Sequence, residues 1–264
     1  MHTGRELRAM VDPLSRIAAA ELEELRARVG SLDLVHHGQL SKDCGLLTGR
    51  VDRSYFLFRA FLVSAQSPKH NAARPPEERA GLSVRKCIPL RGLRLRTSAR
   101  DDLRFEILEE SGKISCLWAA DAAARELWVE TLSTCISSVE FGPPPSRLAQ
   151  PLPLADDEAV REEVAQCCAW QKHYGVVVQS GAHAVVSSSR EPSELRKRLS
   201  KLAPREQLAT EPALGGTALH LAVAAGKGAL IEAIAQQLPA LLEQPDKNGV
   251  RPLLAAAILC TRAA

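Results

Sequence analysis

From Leu34 to Trp118 the sequence carries seven short segments with strand patterning, and one long helical pattern follows directly. That order constrains the fold more than any other feature, because many short strands with a single terminal helix do not build a parallel α/β sheet. The segments are residues 34–40 (LVHHGQL), 54–58 (SYFLF), 61–64 (FLVS), 86–90 (KCIPL), 93–96 (LRLR), 104–108 (RFEIL) and 114–118 (ISCLW). Residues 109–113, Glu-Glu-Ser-Gly-Lys, read as the hairpin turn between the last two. Asp121 is placed to cap the helix, in which Ala123, Leu127, Val129, Leu132 and Ile136 surround Trp128. The longest gap, residues 66–83, holds Pro75-Pro76 and many charges and is expected to be a mobile loop. The fold class expected is α+β: a seven-stranded barrel or sandwich over residues 34–140, capped by a C-terminal helix.

Residues 1–30 read as an N-terminal helix. Within them Leu7, Met10, Leu14, Ile17, Ala18, Leu22, Leu25 and Val29 recur at helical spacing, with an interruption near Pro13 and an end at Gly30. Downstream, the Pro-rich residues 141–155 read as a stiff linker and residues 156–264 as an all-helical region. Residues 156–174 and 193–199 carry helical patterning. Residues 175–189 are open between a short hairpin, Val176-Val177-Val178 against Ala184-Val185-Val186, and a loop. Within residues 215–264, GGTALHLA at 215–222 returns in degraded form as GVRPLLAA at 249–256, an offset of 34 residues. So little repeat cannot bury a core alone. Helices from residues 156–205, or a C-terminal continuation, must cover it.

Composition narrows the class. Apolar residues make up 45% of the chain and charged residues 25%, so a packed core is expected. The seven cysteines (44, 87, 116, 135, 167, 168 and 260) form no C-x-x-C pair. With no secretory leader pattern at Met1, they are expected to be reduced thiols in a cytoplasmic protein. No run of apolar residues is long enough to span a membrane. Charge is polarised along the sequence: residues 35–100 hold thirteen Lys and Arg against four Asp and Glu, whereas residues 101–141 hold three against nine. This asymmetry predicts a basic pole and an acidic pole on one domain.

Three features together carry a family resemblance: the opening His37-Gly38-Gln39-Leu40-Ser41-Lys42, the strand Arg53-Ser54-Tyr55-Phe56-Leu57-Phe58, and the closing helix with Trp128 at its centre. In their order and spacing residues 34–138 resemble a pleckstrin-homology (PH) domain. The resemblance implies that Trp128 plugs the open end of a barrel, with Phe56 and Phe58 as further structural residues. The phrases Ile88-Pro89-Leu90 and Tyr55 to Val63 look like the subtype beside Dbl-homology exchange domains, where a helix runs directly into the first strand. Residues 18–29 stand in that place. The rest of a Dbl domain is absent, so exchange activity is not expected. Residues 215–257 are similar to ankyrin repeats, with Thr217-Ala218-Leu219-His220 for the family's Thr-Pro-Leu-His; there Thr217 and His220 would be structural.

In PH domains phosphoinositides bind a basic cup made by the first two strands, and the matching positions here are Lys42, Arg50, Arg53 and Arg59. Arg50-Val51-Asp52-Arg53 departs from the tight basic pattern of high-affinity members. The expectation is therefore weak attraction to an anionic membrane surface or phosphoinositide, on the cytosolic face. Arg196, Lys197, Arg198 and Lys201 read as a solvated helix face, and nucleic-acid binding is disfavoured because no aromatics interleave with them. His36-His37 and Cys167-Cys168 lack metal-ligand spacing, and no phosphate-loop, dinucleotide or nucleophile-elbow motif is present, so neither metal, cofactor nor enzymatic activity is expected. Two readings of function follow. One is a non-catalytic signalling adaptor that binds a protein partner through the ankyrin-like region. The other is the C-terminal part of a Rho-family guanine nucleotide exchange factor, with a Rho-family GTPase as partner.

Overall fold

The alternating segments form seven antiparallel strands. In this computed structural model, residues 12–44, 49–67, 81–97, 101–144 and 158–262 are described. Expectations for the start of the N-terminal helix, most of the long gap and most of the Pro-rich linker fall outside those residues. The strands are β1 (Leu34–Asp43), β2 (Arg50–Phe58), β3 (Phe61–Gln66), β4 (Ser83–Pro89), β5 (Arg94–Thr97), β6 (Arg104–Leu108) and β7 (Ile114–Trp118). Their order is β4-β3-β2-β1-β7-β6-β5. Helix α1 (Ala19–Val29) precedes the sheet and α2 (Ala122–Phe141) follows it. Asp121 caps α2 as expected, accepting from the Ala124 amide at 2.7 Å. The 109–113 turn is closed by Glu109 N donating to Lys113 O at 2.9 Å.

Period-two alternation sends one row of each strand inward. Leu40, Tyr55, Leu57, Leu62, Ile88, Phe105, Ile107 and Leu117 meet Trp128, Leu132 and Ile136 of α2 in one core. Trp128, 2% exposed, closes one end of the barrel. Its indole lies on Gly38, where an added Cβ would stand 3.3 Å from Nε1, and the His36 ring meets it edge-on at 4.4 Å. Phe56 and Phe58 are buried too, but on the outer face of the sheet, where Ile17, Leu25, Val63 and Leu82 cover them. Both faces of β2 are thus covered at its end, and its last five residues are all buried.

Both edges of the sheet also carry contacts from outside it. At the β4 edge, Leu82 N donates to Arg16 O at 2.6 Å and Ala18 N to Leu82 O at 3.1 Å. The Glu21 carboxylate accepts from Ser83 Oγ and Val84 N at 2.8 and 3.3 Å. At the β5 edge, Gln179 N donates to Leu95 O at 2.8 Å and Thr97 N to Ser180 Oγ at 3.2 Å. These contacts cover the start of the β4 edge and the β5 edge, which limits strand addition there by another chain.

The segment at β5 belongs to the helical region: α3 (Glu158–Val177), α4 (Gly181–Ser188), α5 (Pro192–Leu199), α6 (Pro204–Gln207), α7 (Ala218–Ala224), α8 (Gly228–Gln237) and α9 (Pro252–Arg262). Residues 175–189 are therefore the end of α3 and all of α4, joined at 178–180 by a short connection in which Val178 bridges to Leu95. Their valines carry strand propensity, yet tertiary packing decides. The end of α3 delivers Tyr174 and Val177 into the barrel core, and Val178 follows from the bridge to Leu95. Gly175 permits it, since a Cβ there would come within 2.7 Å of His183 O. Among the described residues no helix is long and apolar enough to cross a membrane.

Within the helical region one device recurs. Thr217 N donates to His220 Nδ1 at 3.1 Å, so Nε2 carries the proton and donates to Val250 O at 2.9 Å. His183 makes the equivalent contact one unit earlier, Nε2 to Gly216 O at 3.0 Å. The pairs α4–α5 and α7–α8 share this contact, although Ser180, in the place of Thr217, makes no side-chain cap bond. Lys227 locks the two together, its ammonium donating to Val186 O at 2.7 Å and Ser187 O at 2.8 Å at the C-terminus of α4. Helices α4 and α5 pack on α7 and α8 in one cluster, while Val164 and Cys168 of α3 pack on Val223, Val250, Ala255 and Ile258. The preceding helices supply the cover that the repeat needs.

Burial, opposed by the bond to Gly216 O, lowers the His183 pKa to about 4. An unfolded histidine titrates near 6.5, so between those values the unfolded state binds the proton that the folded state refuses. Stability from this group is complete above about pH 6.5 and falls as the pH drops toward 4, by roughly 3 kcal/mol at most. Urea midpoints measured from pH 7.5 to 4.5 are expected to fall in the wild type. The slope is expected to flatten in His183→Asn; equal slopes would contradict this role.

Candidate functional site

At the barrel end opposite Trp128 the inward rows change from apolar to polar. Two residues beyond Leu40 on β1 comes Lys42, and two before Tyr55 on β2 comes Arg53. Lys86 lies two before Ile88 on β4, Ser115 lies two before Leu117 on β7, and Lys113 stands in the turn just before that strand. Alternation turns Lys42, Arg53 and Lys86 toward one cup, and Lys113, in the turn before β7, lies close enough for its charge to act on Lys42. Burial, and after it the nearby charges of Arg53, Lys113 and Lys86, hold the Lys42 pKa below its ordinary value. Buried Tyr55, at the floor, has its hydroxyl pushed up to about 12, chiefly by desolvation. Arg53 Nε and Ser115 Oγ are buried without a hydrogen-bond partner. Unsatisfied buried donors beside converging cations form an environment suited to an oxyanion.

Of the four positions carried over from the family, Lys42 and Arg53 share this cup. Arg50 does not: it projects from the outer face, its guanidinium 4.0 Å over the Trp118 ring, because an even number of positions separates inward neighbours and Arg50 is three from Arg53. Arg59 lies past the other end of β2 and pairs with Asp33 at 3.5 Å. Nine residues of extended chain put it about 30 Å from Arg50. Lys86 and Lys113 went unnoticed in the sequence, although counting back by twos from Ile88 and Leu117 would have found them. His36 and His37 point to opposite faces of β1, toward Trp128 and Phe56 respectively. Cys167 and Cys168 are buried thiols pushed up to about 12 by desolvation, which makes them inert.

Among the described residues, part of the basic stretch is paired with the acidic one. Lys86 pairs with Glu109 at 2.5 Å, Arg94 with Glu140 at 3.5 Å and Arg96 with Glu106 at 3.5 Å. The basic and acidic stretches fold against each other, β5 beside β6 and both beneath α2.

The architecture is decided by the sheet order and the helix that closes it: four strands of one meander, three of a second joined to it through β1 and β7, and a single C-terminal helix carrying Trp128. The barrel is PH-like. No protein-family model matches the chain, and no curated protein matches it. Solved structures that match include the DH/PH domain of human ARHGEF11 in a ternary complex with human RhoA and its inhibitor, at 22% identity over 46% of this chain and 36% of that one, with a TM-score of 0.36. Another is the PH domain of human oxysterol binding protein-related protein 11, at 23% identity over 47% of this chain and 96% of that one, TM-score 0.33. A third is the carboxyl-terminal PH domain of pleckstrin, at 19% identity over 39% of this chain and 96% of that one, TM-score 0.30. The chain spans about a third of the length of the exchange-factor structures (36% and 34%). The PH-like description of the barrel rests on its own topology.

Proposed function

We propose that the chain is a non-catalytic adaptor whose barrel docks weakly on an anionic membrane surface through Lys42, Arg53, Lys86 and Lys113. The observation that carries this reading is the convergence of inward Lys42, Arg53 and Lys86 with Lys113 of the β6–β7 turn, beside buried, unpartnered Arg53 Nε and Ser115 Oγ. Each cation near an anionic surface contributes roughly 1 kcal/mol, so the cluster gives reversible attachment at the cytosolic face. The second half of the adaptor is the helical region, read as ankyrin-like and protein-binding. What supports it is the repeated helix pair, held at its turns by Thr217, His220 and the corresponding His183.

The test is sedimentation with phosphatidylserine vesicles, at low and at physiological salt, of the wild type and of a Lys42→Glu, Arg53→Glu, Lys113→Glu variant. Wild type is expected to bind at low salt and to lose binding as salt rises, because exposed charges are screened beyond about 8 Å at physiological ionic strength. The triple variant is expected to lose it at every salt. Absence of wild-type binding at low salt would overturn the reading.

A second reading, the C-terminal part of a Rho-family exchange factor, is favoured by helix α1, which leads into β1 and packs Leu25 on the sheet's outer face. In a fluorescent-nucleotide release assay with RhoA, the 264-residue chain is expected to give no acceleration; clear acceleration would favour this reading over the adaptor.

A further inference from the structure

We propose that Glu109 is a built-in competitor of the anion: its carboxylate occupies Lys86, where a ligand phosphate would bind, and keeps the cup's affinity low. The inference rests on reading the cup as an anion site. Glu109 follows Phe105 and Ile107 on the inward row of β6, and among the described inward positions it is the acid placed with the four cations. Lys86 Nζ donates to its Oε1 at 2.5 Å, with the two side chains 30% and 17% exposed.

The carboxylate is not there by the accident of a loose loop. Glu109 N donates to Lys113 O at 2.9 Å and Gly112 N to Glu109 O at 2.9 Å. Gly112, at φ 82°, takes the left-handed conformation that closes this turn. The hairpin therefore fixes the backbone from which Glu109 reaches across the barrel. A phosphate entering the cup has two courses. It can displace Glu109 from Lys86, losing that pair and facing an unpaired carboxylate, or it can settle on Lys42, Arg53 and Lys113 within reach of a negative charge. Either course lowers affinity. The repulsion is greatest for ligands bearing several phosphates, so the same residue disfavours tight headgroup selection and leaves diffuse attraction to an anionic surface.

Glu109→Gln keeps the side chain's size and its ability to accept from Lys86 while removing the charge. Its neighbour Glu110, in the same turn, is exposed and supplies the control. Both substitutions change net charge equally, so only position differs. The full chain, as wild type, Glu109→Gln and Glu110→Gln, is titrated with phosphatidylserine vesicles at low and at physiological salt, with phosphatidylcholine vesicles as blank and inorganic phosphate as soluble competitor. Glu109→Gln is expected to bind at least about fivefold tighter, the effect of about one cation at a membrane surface. Glu110→Gln is expected to change binding less than twofold. Binding of Glu109→Gln alone, with wild type below detection, supports the proposal as well. Wild type that binds and a Glu109→Gln that binds no tighter, or equal gains in both variants, would overturn the competitor role and leave the cup standing. No binding by any of the three at low salt would instead remove the cup reading, and this inference with it.

Discussion

Trp128→Ala is expected to lower the stability of the chain by about 3–5 kcal/mol, the usual cost of truncating a buried Trp. For a chain of this size that corresponds to a melting point roughly 10 °C lower. The residue is 2% exposed and sits at the meeting point of α2, His36, Gly38 and Tyr55. No other described residue spans both the helix and the β1 end of the barrel with a ring of that area. The melt belongs on the full chain. Residues 30–141 alone would bare the outer face that Ile17 and Leu25 cover and the seam that Tyr174 and Val177 fill. An unchanged midpoint would mean that Trp128 does not hold the barrel closed.

The second large effect is expected at Val177, which is fully buried where α3 enters the barrel core. Val177→Asp places a carboxylate there without a partner, and burying an unpaired charge costs several kcal/mol unless the group protonates or the structure opens. The measurement is far-UV circular dichroism with heating, followed in parallel by tryptophan fluorescence. Wild type is expected to show coincident transitions, because Trp128 in the barrel and Trp170 on α3 report parts of one packed body. In Val177→Asp the midpoint is expected to fall by more than 10 °C on the same scaling, helix and barrel together. A barrel that keeps its wild-type midpoint while the helices melt would show two independent domains.

That seam was illegible in the sequence for a definite reason. Val176-Val177-Val178 and Ala184-Val185-Val186 satisfy strand propensity locally, and only the core of another element makes the helical form better. The Pro-rich stretch after Phe141 likewise suggests separation, whereas the Phe141 and His173 rings stack at 3.8 Å across it. The barrel was legible because alternation and capping are local: every strand lies within a few residues of its sequence pattern, and Asp121 caps where it was expected. Phe56 and Phe58 were legible as buried but not as to which face, since α1 covers the outside of the sheet and turns an alternating strand into a continuous apolar run.

The cup was half legible. Lys42 and Arg53 follow from their strand, but family alignment by position brought in Arg50 and Arg59, which strand parity and strand length respectively exclude. Lys86, Lys113 and Glu109 arrive from β4 and the β6–β7 hairpin, far away in sequence, and no local pattern joins them. Charge counting failed similarly. A surplus of Lys and Arg along residues 35–100 says nothing about where the acids of residues 101–141 will fold, and they fold onto it.

The central claim is that these side chains receive an anion at one end of the barrel. It is tested most directly by two-dimensional 15N NMR of the full chain during titration with short-chain phosphatidylserine. The account predicts amide shifts concentrated at Lys42, Arg53, Lys86 and residues 109–115, lost in the Lys42→Glu, Arg53→Glu, Lys113→Glu variant. Shifts confined to α5, around Lys197 and Lys201, or to the outer face around Arg50 and Trp118, with the cup silent, would contradict it.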